Sequence, residues 1–598
     1  MFFLFYSGQK ESFFSIVSYF YFRYEAKSIL QSDFIKSLRN LKHEKIRTLI
    51  FVSAAVILGF FVLYPLGILF KRSLYDYTSN AWTIQNYLTF YSDAELYSAF
   101  WNTLKLAFAT SIFSLLVALP MAWGVSRTDM PFRQTCRSMV VLTFATPSFL
   151  GAIGWIVLLG PRAGIVNQIT MGLFGLEEPL FNIFSFGGMA FVMGLFVYPF
   201  MFFSVVSALD NMDPNYEQSA KILGSSTLRV ILTVTLPIVT PAILSGLILV
   251  ILESFVVFGA PAIVGNPAYI HTLSTQVYNL FSDDPPQFHM AATAATPIVI
   301  VTAILLIFQR SYLGKRQFIT VTGKSPQPEL IEIGKWKYVL SGFSMLVVFV
   351  SIGMPTLALF QASIVKVWGN FPTFDNLTLD NYIELFTSNR DIVVRAFLNS
   401  FVLAIGAAFV CIAFTFVMAW IIERTTVPGR EFLSLLSMIG MSFPGVALGV
   451  ALVIAFAGKP FFLYGTLWLF LVGYFVKGTP IAFMFARSSL KQIHEELEHS
   501  SRVLGAGWLK TMKDITLPLM KKGLFSVGTI IFCMKFRDMA TSIMLYTGGL
   551  EVISILIFEF VEEAEMGTLG ALTFIVMCIN LTLVALSKKL VGKGAFEM

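Results

Sequence analysis

The chain has 598 residues, 56% of them hydrophobic and 13% charged, with a mean hydropathy of +0.75 and a formal net charge of +7. A soluble globular protein carries about twice that charged fraction, and a β-barrel would show alternating rather than solid apolar runs, so the composition describes an all-α polytopic membrane protein. The positive balance suits loops held near an anionic lipid surface rather than nucleic acid.

The first 45 residues include "SFFSIVSYFYF", which is apolar but too short to cross a bilayer and is followed by no small-residue cleavage site. It is either an interfacial amphipathic segment or an overextended start. Twelve apolar runs long enough to span about 30 Å of hydrocarbon follow, at 48–70, 101–125, 138–160, 186–208, 237–258, 291–309, 338–360, 397–421, 433–457, 464–486, 519–545 and 568–586. Lys and Arg crowd the segment before the first run (Lys36, Arg39, Lys42, Lys45, Arg47), the loop after the second (Arg127, Arg133, Arg137), the stretch 309–337 and the tail. The loops 73–100 and 259–290 have none. Positive loops stay in the cytoplasm, which puts both termini there. The loop 361–396, on the outside by this count, holds Lys366, Arg390 and Arg395 together with Asp375, Asp380, Glu384 and Asp391. Cys411, Cys533 and Cys578 lie in apolar runs and read as small core residues.

The chain repeats itself. "MAWGVSRTDMPFR" at 121–133 answers "MAWIIERTTVPGR" at 418–430, an offset of 297 shared by Asn102 with Asn399 and Pro147 with Pro444. "EQSAKILGSSTLRVILTVTLP" at 217–237 answers "EHSSRVLGAGWLKTMKDITLP" at 498–518, an offset of 281. Extra loop near 161–185 accounts for the difference. The latter pair is identical at 8 of 21 positions, against about one or two expected at ordinary composition. Six spans per copy give both copies one topology. The organisation is therefore an extension (1–47), a first half (48–310, core 101–310), a cytoplasmic linker (311–337) and a second half (338–598, core 397–586).

The repeated polar stretch reads as a short surface helix. Asp213 caps it, Pro214 opens it, Gly224 stops it in a left-handed turn, and a second short segment leads to Pro237, where the next span begins. The second copy keeps Gly505 and Pro518 but lacks the Asp-Pro start. Ser219, Ala220, Ile222 and Leu223, with Ser500, Ser501, Val503 and Leu504, are available for contact. Two copies with one internal spacing suit a partner with two equivalent grooves.

A Gly thirteen residues before the Pro of Leu-Pro, with small residues ahead of it, resembles the Glu-Ala-Ala loop of binding-protein-dependent ABC importer permeases. The resemblance covers about 101–310 and 397–586. It implies the type I importer permease fold in two six-helix halves, a homodimeric ABC ATPase as partner, a periplasmic or lipid-anchored binding protein, and ATP with Mg bound by that ATPase while this chain binds no cofactor. It also implies that Glu217, Gln218, Ser219, Ala220, Gly224 and Pro237, with Glu498, His499, Ser500, Ser501, Gly505 and Pro518, form two ATPase-coupling elements. The triplets depart from the family pattern, reading Gln218-Ser219-Ala220 and His499-Ser500-Ser501, with Glu217 and Glu498 one place early. "FGAPAIVGNPAYIHTLSTQVYNLF", "QFITVTGKSPQPELIEIGKWK" and the linker run Thr320-Val321-Thr322-Gly323-Lys324 resemble the fused ferric-iron permeases. Related fused permeases carry thiamine, aminoethylphosphonate or hexose phosphate, and these stand as alternative substrates.

Gly323-Lys324-Ser325 is not a phosphate loop, because Phe318 stands where a Gly is required. No nucleophile elbow or metal-spaced His/Cys cluster suggests an enzyme. An ion-coupled secondary transporter built from six-span repeats is the reading from a different class; it has no need of paired docking loops. Glu253 and Asp538, at membrane depth, are either hard-oxygen contacts on a substrate path or structural partners of Lys535 and Arg537.

Overall fold

The computed structural model describes residues 45–76, 80–309, 330–370 and 373–591. The "SFFSIVSYFYF" segment, the Thr320–Lys324 run and Lys593 lie outside these. Eighteen helices carry the architecture, nine in each half. They are α1 (Arg47–Leu74), α2 (Ala94–Arg127), α3 (Arg133–Ala145), α4 (Ser148–Leu159), α5 (Phe186–Asn211), α6 (Asn215–Ile222), α7 (Thr227–Val256), α8 (Leu273–Ser282) and α9 (Phe288–Phe308). Their counterparts are α10 (Trp336–Ser363), α11 (Arg390–Arg424), α12 (Arg430–Ser442), α13 (Gly445–Phe456), α14 (Leu467–Lys491), α15 (Glu495–Val503), α16 (Leu509–Phe536), α17 (Ile553–Glu562) and α18 (Met566–Val591). A two-stranded ribbon, Tyr75–Asp76 against Ala81–Trp82, follows α1.

Among the described residues, ten helices are long and apolar enough to cross a membrane. The predicted spans 138–160 and 433–457 are not straight: α3 meets α4 at 98° and α12 meets α13 at 106°. Pro147 and Pro444 sit at the breaks, each in extended conformation as the residue before the second piece. The α3–α4 pair still completes one crossing. Arg137 of α3 bonds Asp210 at one end of α5, and Leu159 at the end of α4 accepts the Ile183 N–H just before the other end.

Two further expectations need correction. The spans were expected to begin at Pro237 and Pro518, but α7 and α16 run unbroken from Thr227 and Leu509. Each proline is preceded by a single π turn, Ile231–Thr235 and Met512–Thr516, in which the next N–H reaches back five residues. The widened turn accommodates the ring and the missing donor. The same device precedes Pro65 in α1 and Pro355 in α10, so the duplication extends to the first span of each half. At the other end, the predicted span 519–545 overran: α16 stops at Phe536, and the Asp538 carboxylate takes the Thr541 N–H to open a separate turn, Ser542–Leu545.

Within each half α2, α5 and α7, and likewise α11, α14 and α16, pack on one another. The first span crosses over. α1 lies against α9 of its own half and α13 of the other, where Phe60, Phe61 and Tyr64 meet Phe456. α10 lies against α18 and against α4, with Pro355 pressed on Gly154. Phe108, Leu116 and Phe409 are about 70% exposed on the outer faces of α2 and α11, as lipid-facing residues must be. Cys136 and Cys411 are buried, but Cys578 is exposed rather than a core residue.

Candidate functional site

Three places merit attention: the paired surface helices at one end, a junction at mid-depth, and a cavity at the opposite end.

α6 begins where Asp213 accepts the Asn215 N–H. It ends at Gly224, whose φ of +85° closes the helix in a left-handed turn, with the Ser225 N–H on the Ala220 carbonyl. α15 ends identically at Gly505, φ +86°, with Ala506 N–H on the Ser501 carbonyl. Glu217 does not face outward. It is 3% exposed, and its carboxylate accepts from Arg127 Nε at 2.9 Å and from Thr235 Oγ1 at 2.6 Å, with a further contact from Arg127 Nη2. Glu498 repeats this. Thr516 donates at 3.1 Å and Arg424 Nε at 3.4 Å, while Arg424 also reaches Glu495 and the carbonyls of Leu490 and Ile493. A buried charge is tolerated only when paired and hydrogen-bonded, and each clasp ties the surface helix to the end of the second span and to the π turn of the fifth.

The remaining residues of the two loops divide by face. Ser219, His499 and Ser500 are exposed, Gln218 and Ala220 are half-buried, and Ser501 shares a 3.0 Å hydrogen bond with Thr511. Ile222, Leu223, Val503 and Leu504, each more than 80% exposed, form an apolar tip on both helices. Arg127, Arg424, Thr235 and Thr516 were not singled out from sequence. The signal was there: the arginines share the offset of 297, and the threonines are among the eight identities.

At mid-depth, Asp538 pairs with Lys535 at 3.1 Å and caps Thr541. Lys535 lies over the Tyr474 ring, 5.5 Å from its centre. Glu253, from the other half, makes no ion pair or side-chain hydrogen bond among the described residues; the charge of Lys477 acts on it from across the seam. Of the two predicted path residues, then, Asp538 is engaged and Glu253 is not. Lys477, whose Nζ donates to the Phe443 carbonyl at 3.2 Å, was missed because a single Lys inside an apolar run has no counterpart in the first half.

At the end opposite α6 and α15, a cavity of about 790 Å³ opens between the halves, lined by Asp93, Glu95, Asp283 and His289 with Glu562 of α17. Repeat-related side chains hold the starts of α8 and α17. Asn102 donates to the His271 carbonyl and Thr103 accepts the Leu273 N–H; Asn399 donates to the Glu551 carbonyl and Ser400 accepts the Ile553 N–H. Burial pushes the Glu559 and Glu562 carboxyls up, and their neighbouring glutamates push them further.

A duplicated, multi-pass helical membrane protein with the same clasped surface helix in each half is the architecture of a transport permease. The chain matches the family described as "Binding-protein-dependent transport system inner membrane component" over residues 112–318 and 416–592, and it belongs to that family. Membership decides between the two transporter classes left open by the sequence in favour of the ABC importer permease. The "Ferric transport system permease protein FbpB" of Actinobacillus pleuropneumoniae is 24% identical over 546 residues, 90% of this chain and 78% of the relative. The "Fe(3+)-transport system permease protein FbpB 2" of Haemophilus influenzae is 21% identical over 79% of this chain and 85% of its own length. A solved bacterial ABC transporter "involved in the import of the acidic polysaccharide alginate" has a chain aligned over 99% of its length and 47% of this one, at 17% identity and a TM-score of 0.39.

Proposed function

We propose that this chain is the permease of a ferric-iron importer. It takes Fe(III) from a periplasmic or lipid-anchored binding protein at the acidic cavity and passes it through the inner membrane into the cytoplasm, where both termini lie. α6 and α15 are its coupling helices. Their apolar tips seat in the two grooves of a separate homodimeric ABC ATPase, which alone binds ATP and Mg. Gln218, Ser219 and Ala220, with His499, Ser500 and Ser501, line the docked face. Glu217 and Glu498 act from inside: through Arg127 and Arg424 they fix each helix to the spans it must move. Pro237 and Pro518, behind their π turns, join the docked helix to the fifth span of each half.

The observation that carries the substrate is the similarity of nearly the whole chain to ferric permeases; the fused thiamine, phosphonate and hexose-phosphate permeases remain the competitors. Uptake of radioactive iron, thiamine and aminoethylphosphonate in a strain deleted for this gene decides among them. Loss of iron uptake alone is expected. Unchanged iron uptake with loss of either other substrate would overturn the ferric assignment.

A further inference from the structure

The mid-depth junction carries more than the pairing of Asp538. Four chain breaks meet there. α7 ends at Val256 and α16 at Phe536, while α4 and α13, twelve residues each, begin there behind Pro147 and Pro444 with no side-chain cap on their first-turn amides. Close approach marks the meeting point. A Cβ on Gly259 would lie 2.7 Å from Phe149 and 3.1 Å from Met539, and one on Gly445 would lie 2.8 Å from Ala540. Lys477 sits ten residues into the 25-residue α14, roughly 15 Å from one end and 21 Å from the other at 1.5 Å per residue. Interrupted helices at matching positions of two repeats mark the substrate region of many transporters, and irregular backbone survives at this depth only where it is buried or lines a cavity.

The charges there do not balance. Lys477 acts on both Glu253 and Asp538, while Lys535 and Arg537 act on Asp538. Lys535 is matched by Asp538. Lys477 finds a carbonyl but no carboxylate within ion-pair distance among the described residues. Arg537 Nη1 is buried with no acceptor among them. A buried guanidinium N–H left without an acceptor is costly, and Arg537, itself half-buried, carries the planar group best shaped to grip an oxyanion through two parallel hydrogen bonds. The two helix starts add partial positive charge and free N–H groups. A bare trivalent cation would be repelled at this point; an oxyanion would be held.

We propose that the junction of α4, α7, α13 and α16 binds an oxyanion group of the cargo through Arg537 and Lys477, so that Fe(III) crosses as an oxyanion complex rather than as a bare ion. This rests on the ferric reading above. Glu253 then acts against the anion, limiting how tightly it is held.

The test has two arms. In the first, the full-length chain in lipid nanodiscs is titrated with radiolabelled inorganic phosphate. Arg537→Gln and Lys477→Gln should each weaken binding at least tenfold, Arg537→Lys should keep part of it, and Glu253→Gln should strengthen it several-fold. A merely structural role would not yield changes of opposite sign. No phosphate binding by the wild type, or wild-type affinity in both cation variants, would overturn the proposal. In the second arm, the complete importer in proteoliposomes is given doubly labelled ferric phosphate and, separately, labelled phosphate alone. Iron and phosphate entering together in a fixed ratio supports both readings. Phosphate entering equally well without iron keeps the anion site but sinks the ferric reading. Iron entering with no accompanying phosphate keeps the ferric reading and sinks the anion site.

Discussion

Arg127 and Glu217 show what one buried pair demands. Each is almost wholly removed from solvent, and each is the other's main compensation. Replacing one partner strands the other, at a cost of about 3–5 kcal/mol. Glu217→Gln should therefore lower the thermal stability of the purified chain more than the double change Arg127→Met with Glu217→Leu, which removes both charges. Equal losses from the single and double changes would show that the clasp is not a closed unit. Arg424 has more acceptors than Arg127, so Glu498→Gln should be the milder of the two glutamate substitutions. The sequence showed all four of these residues as matching positions. It could not show that the glutamates turn inward, because a carboxylate on a polar helix is ordinarily solvated, and only the packing of the second span brings a guanidinium to it.

The glycine turns and π turns belong to the scale of the element. Gly224 and Gly505 have open space where a Cβ would go, so the penalty for Val at either site is the left-handed backbone itself, about 1–2 kcal/mol. That is too little to prevent membrane insertion and enough to misdirect a docked helix. Gly224→Val and Gly505→Val should each reduce ATPase co-purification and transport; wild-type behaviour of the double variant would remove the coupling role assigned to these helices. The glycines and the Leu-Pro pairs were readable because turn chemistry is local. The continuity of α7 and α16 was not, because a proline ordinarily marks a helix start, and nothing local announces that one widened turn will absorb it. The break at Phe536 was hidden for a similar reason: an apolar run shows where a chain is greasy, not where its helix stops.

α17 contributes a pH response. Burial raises the Glu559 and Glu562 carboxyls above their ordinary value of 4.5, so the folded chain takes up protons before the unfolded one does. Stability should rise as pH falls from neutrality toward 4.5 and level off below it, where both states are protonated. Asp129 works the other way. Its bond to Lys337 holds it below 3.8, so its contribution is lost only at still lower pH. Melting curves between pH 7 and 4.5 should show the rise, and the double change Glu559→Gln with Glu562→Gln should flatten it. An unchanged slope would place the response elsewhere.

At the scale of the whole molecule, the crossed first spans bind the halves to each other. α1 and α10 each lie on both halves, so two polypeptides divided inside 310–329 should find each other and co-purify when co-expressed, and a first fragment lacking α1 should associate less well. Fragments that remain separate in the membrane would mean that the crossed packing is too weak to hold the halves. Duplication was legible from sequence across the inner spans, where Arg, Gly and Pro are shared. It was not legible for α1 and α10, whose common features are a single proline and the turn before it.

That crossing has a consequence for biosynthesis. The surface of α13 that receives α1 ends at Phe456, some 380 residues after α1 ends at Leu74. At roughly 5–20 residues per second, the ribosome needs on the order of 20–80 s to make it. For that interval Phe60, Phe61 and Tyr64 must wait in lipid, or against α9 once it is made, without their final neighbours. α10 meets no such delay, because α4 is in place before α10 is translated. The two halves, alike in sequence and shape, are thus born unequal. A stalled or truncated nascent chain would leave the first half with its leading helix unclaimed, a natural mark for membrane quality control to read.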